Sequence, residues 1–233
     1  MRRLTLLALL SAVSLVVVAE ATPASSTATT KSWRITIENL TDAAASSVGQ
    51  PLSPPLVGIH SNVADLWSVG RPANEIIRYI AEDGDPFFGR PLLAATPGVL
   101  SSTILLAPGL PPELQPIFPG QSRSTVVTST QSFNRLSIAM MLGVTNDAFT
   151  GLDSLHLNGQ GGVYHVGAYD AGTERNNEDA SYMAALGGLS ALYVRDPEHG
   201  VIAPHPGVRG DNDLDPAIWG WDDPVAKITI ERL

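Results

Sequence analysis

The sequence contains no cysteine among its 233 residues. This absence excludes disulfide bonds, metal sites built from thiolates, and cysteine nucleophiles. Stability must therefore come from a hydrophobic core, and a bound metal ion is the remaining kind of internal cross-link. Hydrophobic residues make up 44% of the chain, and a chain of this length can bury a substantial core as one domain.

Basic residues are also scarce. Lys and Arg number 14 against 23 Asp and Glu, which gives a formal net charge of −9. Because an acidic surface repels polyanions, nucleic acid and anionic lipid are excluded as default partners. Divalent cations or a basic partner surface suit this charge better. The 21 glycines and 18 prolines favour many turns and short strands over long helices.

The chain has one long apolar run, and it lies at the N-terminus. Residues 1–21 have the parts of a signal peptide: Arg2 and Arg3, then the apolar run Leu4–Val18, then an Ala-x-Ala cleavage site. A membrane anchor is the less favoured alternative, because a span needs roughly 20 apolar residues. We therefore expect a secreted protein, extracellular or periplasmic, with no transmembrane span in the mature chain.

The residues after this run predict a flexible linker and then a single domain. Residues 22–32 are rich in Ser, Thr and Ala, a composition that is typical of disordered segments. The first alternating segment begins at Trp33, so we assign residues 33–233 to one folded domain. No internal repeat divides this region further.

Two segments at opposite ends of the domain alternate strictly between apolar and polar residues. They are Trp33–Leu40 and Val225–Glu231. A period of two predicts half-buried strands, and we expect the two to be neighbours in one antiparallel sheet. Further strands are indicated at Ser101–Ala107, Ser124–Thr130, Leu136–Leu142, residues 163–168 and Leu189–Val194.

Helices are few by the same criteria. Helical spacing, with Pro72 at the first helical position and Gly84 after the end, predicts a helix over Pro72–Glu82. A second, weaker helix is indicated at Tyr182–Leu186. The sum predicts a mostly β protein: an antiparallel β-sandwich with one or two short helices.

Three carboxylates stand where apolar runs give way to loops. Asp170 and Glu174 are four residues apart and flank a Gly-Thr turn, and Asp147 follows the run Leu136–Leu142. Carboxylates gathered at one end of a sheet repel one another unless a cation lies between them. Oxygen ligands without cysteine indicate a hard cation, and Ca²⁺ is the favoured ion outside the cell. Three unrelated loop acids are the alternative interpretation.

Several phrases, taken together and in order, resemble the spondin N-terminal domain of extracellular matrix proteins and secreted bacterial proteins. The similarity covers about residues 33 to 233. The phrases are Ile37–Thr41, Gln50–Pro55 with His60, Ala81–Gly84, Met141–Leu142 with Thr145–Gly151, Tyr169–Glu174 with Asn176 and Glu178, His205–Gly207, and Trp219–Ile230.

The resemblance implies a β-sandwich related to C2 domains, with one Ca²⁺ held by acidic loops at one end. Asp147, Asp170 and Glu174 match the positions of the family's metal carboxylates. Glu174 departs from the pattern, because animal members carry Asp there. This difference puts the role of Glu174 as a ligand in question. Backbone carbonyls and water would complete the six to eight oxygens that Ca²⁺ takes.

A second acidic group lies near the C-terminus. Asp211, Asp213, Asp215 and Asp222 follow the register of an EF-hand loop, but Pro216 stands where that loop needs Gly. A solvated acidic loop is the favoured interpretation, and a weak second cation site is the alternative.

Zinc and nucleophilic catalysis find little support. None of the five histidines shows a metal-binding spacing, and no Gly-x-Ser-x-Gly motif is present. The histidines are His60, His156, His165, His199 and His205.

The sequence therefore predicts a secreted calcium-binding adhesion or recognition module that is not an enzyme. Its partner would be an extracellular protein, or a matrix or cell-surface ligand. A secreted metal-dependent hydrolase that uses the same acidic cluster is the alternative. Calcium-dependent lipid docking is a third possibility, but the sequence offers no basic patch to support it.

Overall fold

The computed structural model describes residues 29–41, 48–111 and 115–233. The predicted signal peptide and most of the predicted linker lie outside these residues. The strands are β1 (Lys31–Asn39), β2 (Leu56–His60), β3 (Val99–Ile104), β4 (Ser122–Ser129), β5 (Arg135–Met141), β6 (Ala148–His156), β7 (Gly161–Val166), β8 (Tyr169–Asp170), β9 (Ala203–Pro204) and β10 (Ala226–Arg232). The helices are α1 (Glu75–Asp83), α2 (Pro86–Ala95), α3 (Ala184–Gly187) and α4 (Pro216–Trp219).

The first and last strands lie side by side in the smaller sheet, whose order is β4-β1-β10-β7 over the described residues. Trp33 is opposite Arg232, and Asn39 is opposite Ala226. The predicted pairing of the two alternating segments is thereby confirmed. The first strand begins at Lys31, two residues before the predicted start, because it also pairs with β4 from that position.

The larger sheet has the order β3-β2-β5-β6-β8-β9 within the described ranges, and every named pairing is antiparallel. Its inner face packs against the smaller sheet around a core that includes Trp33, Ile35, Ile138 and Ile228. The predicted fold class, a mostly β antiparallel sandwich with short helices, is confirmed.

Two helices cover the outer face of the larger sheet. Ile77 and Ile80 of α1 and Leu93 of α2 pack with Leu56 and Phe149 in a second apolar cluster. This arrangement explains why β2 is buried along its whole length, with apolar residues on both faces.

The predicted helix is present but begins later than expected. Asn74 is its N-cap and accepts a hydrogen bond from the backbone N–H of Ile77 at 3.0 Å, so Pro72 lies before the helix. Gly84 ends it with a left-handed conformation at φ 61°, as predicted.

The helix that follows at once was not predicted, although Asp85 and Pro86 form a typical N-cap and first helical position. Gly89 and Pro91 lie inside it and interrupt the helical pattern in the sequence.

The strand indicated at Leu189–Val194 is wrong. A 3₁₀ helix spans Gly188–Ser190, and the residues after it form turns. Tyr193 has a φ of 61°, a left-handed conformation that no strand contains. The weaker predicted helix corresponds to a 3₁₀ turn at Ala180–Tyr182 followed by the single turn of α3. No helix among the described residues is long and apolar enough to cross a membrane.

Candidate metal centre

The connection between β5 and β6 places Asp147 beside the end of β8. Ala148 is opposite Asp170 in the ladder, and the backbone N–H of Ala171 donates to the carbonyl of Asp147 at 3.2 Å. The turn before Asp147 is held by Thr145, whose hydroxyl donates to Leu142 and accepts from the backbone of Ala148. The fold therefore brings together two loops that are more than twenty residues apart in the chain.

The carboxylate of Asp147 is fully buried, with 0% of the residue exposed. Its Oδ2 accepts hydrogen bonds from the backbone N–H of Thr173 at 2.7 Å, the Thr173 hydroxyl at 3.1 Å and the backbone N–H of Glu174 at 2.9 Å. Its Oδ1 is buried and has no hydrogen-bond donor in the described part of the chain. A buried oxygen of this kind carries a large desolvation cost unless a cation or a proton satisfies it.

The two carboxylate oxygens of Glu174 also differ in their hydrogen bonding, as those of Asp147 do. It is also 0% exposed, and its Oε1 accepts from the backbone N–H of Asp196 at 3.2 Å. Among the described residues, its Oε2 is buried without a donor. The loop thus holds one oxygen of each carboxylate and leaves the other unsatisfied.

Asp170 is different because it is half-buried and both of its oxygens accept hydrogen bonds. Oδ1 accepts from the backbone N–H of Gly172 and Oδ2 from the amide of Asn176, each at 2.6 Å. Asn176 in turn contacts Nε2 of His205 at 3.0 Å, while the backbone N–H of Gly207 donates to Nδ1 of that ring. Because Nδ1 accepts, the proton is on Nε2, and His205 donates to the side-chain oxygen Oδ1 of Asn176.

Burial and neighbouring negative charge raise the pKa values of the two enclosed carboxyls. Burial raises the pKa of Asp147 to about 7, and the charge of Asp170 adds to the shift. Burial raises the pKa of Glu174 to about 8, with further repulsion from Glu82 and an opposing effect of Arg195. Both carboxyls therefore keep their protons to a higher pH than free acids do, because the folded protein does not stabilise their charged forms.

Two charged residues that were not predicted complete this region. Glu82, on α1, is buried and forms an ion pair with Arg195, which also pairs with Asp83. Desolvation raises the pKa of Glu82, and the attraction of Arg195 opposes that rise. Periodicity gave no signal for Glu82, because residues two and five positions apart, as it is from Ile80 and Ile77, do not share a helix face.

The donor chemistry fits a hard cation, but the predicted side chains do not assemble into a complete ligand set. Across the described residues, no three or more His, Cys, Asp and Glu side chains are grouped as they would be around a metal ion. Asp147 and Glu174 each offer a free buried oxygen, whereas Asp170 is committed to Gly172 and Asn176. The calcium site therefore remains a prediction that needs backbone or solvent oxygens as well.

The other acidic group has structural roles. Asp215 is the N-cap of α4, Asp213 accepts from the backbone N–H of Ala180, and Asp211 pairs with Arg209. These contacts favour a structured acidic loop over a second cation site.

A serine and a histidine meet in the core of the larger sheet. Nε2 of His60 lies 2.8 Å from the hydroxyl of Ser137, and both residues are buried. Nδ1 of the same ring lies 2.8 Å from the carbonyl of Ser61. No substrate can reach this pair without unfolding the sheet, so it is a packing contact.

No protein-family model matches the chain, and no curated protein sequence matches it.

Proposed function

We propose that the chain is a secreted calcium-binding recognition module, in which Asp147 and Glu174 are the principal ligands and Asp170 lies at the exposed side of the ion. The observation that carries this proposal is the pair of buried carboxylate oxygens, Asp147 Oδ1 and Glu174 Oε2, that have no donor among the described residues. The resemblance to spondin N-terminal domains supports the same three positions.

Two buried acids whose charges repel one another need either protons or a cation. Their pKa values of about 7 and 8 mean that protons fill this role only at neutral pH and below. A divalent cation would fill the same role by displacing these protons, and Ca²⁺ accepts oxygen ligands of irregular geometry. Since the chain lacks cysteine, softer thiolate-binding metals have no suitable ligands.

A bound ion would connect three parts of the fold. Asp147 belongs to the β5–β6 connection, and Glu174 belongs to the loop after β8. Asp196 lies in a third loop, and its backbone N–H donates to Glu174. The ion would hold these loops in one arrangement and so preserve a surface for a protein or matrix partner. It would also raise the free energy of unfolding by about 2.7 kcal/mol at a hundred times its dissociation constant.

Burial supports binding over turnover. A metal-dependent hydrolase needs an open coordination position facing a cleft. Here Asp147 and Glu174 are fully buried, and the cavity beside Asn176 and His205 has a volume of about 10 Å³, enough for one water molecule. The role that these residues support is therefore to hold an ion within the protein.

The test is a calcium titration of the purified, metal-free chain, followed by thermal unfolding and calorimetry, with Mg²⁺ in parallel. We expect Ca²⁺ to raise the melting temperature of the wild type and to leave that of Asp147→Asn almost unchanged. Asp211→Asn is the matched control, because it removes the same charge from an exposed residue. An equal response of Asp147→Asn and wild type, or no response of the wild type, would refute the proposal.

A further inference from the structure

Strand β3 lies at the end of the larger sheet, and one of its edges has no neighbour among the described strands. The backbone N–H of Leu105 donates to the carbonyl of Pro55. This bond shows which residues of β3 form hydrogen bonds with β2. Hydrogen bonding alternates along an antiparallel pair, so Ser101 and Thr103 bond to β2. The N–H groups of the intervening residues therefore point to the open edge. These residues are Ser102 and Ile104; Leu100 is not counted with them, because the register of the ladder shifts between Ile59 and His60 and the alternation ends there.

An apolar groove runs alongside this edge. It has a volume of about 590 Å³ and is lined by Ile104 and one face of α2, namely Phe87, Arg90, Pro91, Ala94 and Ala95. That face is turned away from the buried side of the helix, and Phe87 is 57% exposed. The hydroxyl of Ser102 donates to the carbonyl of Arg90 at 3.3 Å, so the side chains of alternate β3 residues point to the helix.

The groove contains one charged side chain, Arg90. Its guanidinium has no ion pair or hydrogen bond with any residue that the structure describes, although the chain is strongly acidic. Arg195, by contrast, pairs with two carboxylates. A free guanidinium beside aromatic and aliphatic side chains has the composition of a binding hot spot.

We propose that an extended peptide segment of a partner protein binds here by adding a strand to β3. Its backbone would pair with the outward groups of Ser102 and Ile104, and its alternate apolar side chains would enter the groove under α2. A carboxylate of the segment, from a side chain or from its C-terminus, would pair with Arg90.

The open edge is what selects a peptide over other apolar occupants. A row of unpaired N–H and C=O groups is satisfied by another strand and by no lipid or small hydrocarbon. The groove volume is within the range of about 300–1,000 Å³ that is usual for ligand sites. The acidic balance of the protein also disfavours an anionic membrane, whereas a single carboxylate is drawn to Arg90.

The first test measures amide hydrogen exchange in the free chain. NMR monitors the exchange at a low protein concentration. We expect the amides of Ser102 and Ile104 to exchange on the order of a hundredfold faster than those of Ser101 and Thr103, which bond to β2. Equal protection of the two sets would show that the edge is already covered and would overturn the proposal. Protection that grows with protein concentration would assign the edge to a second copy of the chain, which also contradicts it.

The second test is selection from random peptides displayed on phage, with the recovered peptides then synthesised. We expect them to alternate apolar residues with others, to carry a carboxylate, and to slow exchange of the Ser102 and Ile104 amides. Arg90→Glu should weaken binding by about tenfold or more, because it places like charges together. Ser102→Pro should do the same, because it removes an outward N–H that the sheet does not use.

Arg232→Glu is the control for charge, since Arg232 is exposed on the other sheet. Variant melting temperatures close to that of the wild type show that the edge substitutions leave the fold intact. No selected peptide, or peptides that bind Arg90→Glu and Ser102→Pro as well as the wild type, would refute the site. Binding is expected to persist in EDTA, because no groove residue belongs to the metal centre, so failure here and failure of the calcium proposal are distinguishable.

Discussion

The backbone N–H of Glu174 donates to Oδ2 of Asp147 at 2.9 Å, while the second oxygen of each carboxylate stays buried without a donor among the described residues. The two acids are thus held in place by the backbone of the loop and not by a basic side chain. Such an arrangement is unfavourable when both groups are ionised, so we expect the stability of the protein to respond to protons and, under the calcium proposal, to Ca²⁺.

The metal-free protein should lose stability as the pH rises. Asp147 and Glu174 have higher pKa values in the folded state than their ordinary values of 3.8 and 4.5, so the folded state binds more protons between about pH 4 and pH 8. Each group then lowers the free energy of unfolding by up to about 1.4 kcal/mol per pH unit within its window. Urea unfolding in EDTA at several pH values measures the slope.

The comparison with Asp147→Asn isolates this effect from the other carboxyl groups. The variant should show a less negative slope between pH 5 and about pH 7. Added Ca²⁺ should stabilise the wild type more at pH 8 than at pH 5.5, because the ion requires deprotonated ligands. Parallel slopes for the two proteins would contradict the raised pKa of Asp147.

Arg195→Met should destabilise the protein strongly. The guanidinium pairs with Glu82 and Asp83, whose side chains are almost fully buried, and its loss leaves Glu82 with only the longer contact to Arg78 at 4.0 Å. A broken buried pair costs about 3–5 kcal/mol. Arg34→Met is the control, because its pair with Glu231 is about half exposed and is worth at most about 1 kcal/mol. Chemical denaturation measures both.

Adding Glu82→Gln to Arg195→Met should restore part of the lost stability, since it removes one of the stranded charges. If Arg195→Met and Arg34→Met cost the same, the buried ion pair has no special role.

Gly172→Ala should disturb the candidate metal centre. Gly172 has a φ of 68°, and an added Cβ would lie 2.7 Å from the backbone nitrogen of Val201. The left-handed conformation alone costs about 1–2 kcal/mol for alanine, and the contact with backbone adds to this. We expect a lower melting temperature and weaker Ca²⁺ binding, because the Gly172 N–H also orients Asp170.

Gly207→Ala is the matched control for that substitution. Gly207 has a φ of 89°, but an added Cβ there meets nothing within 4 Å. It should therefore show only the cost of the conformation. Equal destabilisation by the two substitutions would contradict this prediction. It would mean that the contact between the added Cβ and Val201 has no energetic cost.

Local patterns were sufficient for much of the fold. The alternation in Trp33–Leu40 and Val225–Glu231 predicted two paired strands, and Gly84 predicted the end of α1. They failed where tertiary contacts override them. The β2 strand has no alternation because both of its faces are buried, and α2 forms despite Gly89 and Pro91 because its other face packs on the sheet.

The candidate site divides in the same way. The order of apolar runs and acids indicated Asp147, Asp170 and Glu174, because a carboxylate after a strand falls at the end of a sheet. Spacing could not show that Asp170 is held by Gly172 and Asn176 while the other two keep a free oxygen.

Composition and short-range periodicity were enough to predict the class of fold, the absence of disulfides, the acidic balance and the residue types that a cation would use. The folded chain was needed to show which oxygens are unsatisfied, that Glu82 and Arg195 lie near the candidate metal centre, and that Arg90 lies beside an open strand edge. Those features depend on burial and on contacts between distant residues, such as Arg195 with Glu82, which no local pattern encodes.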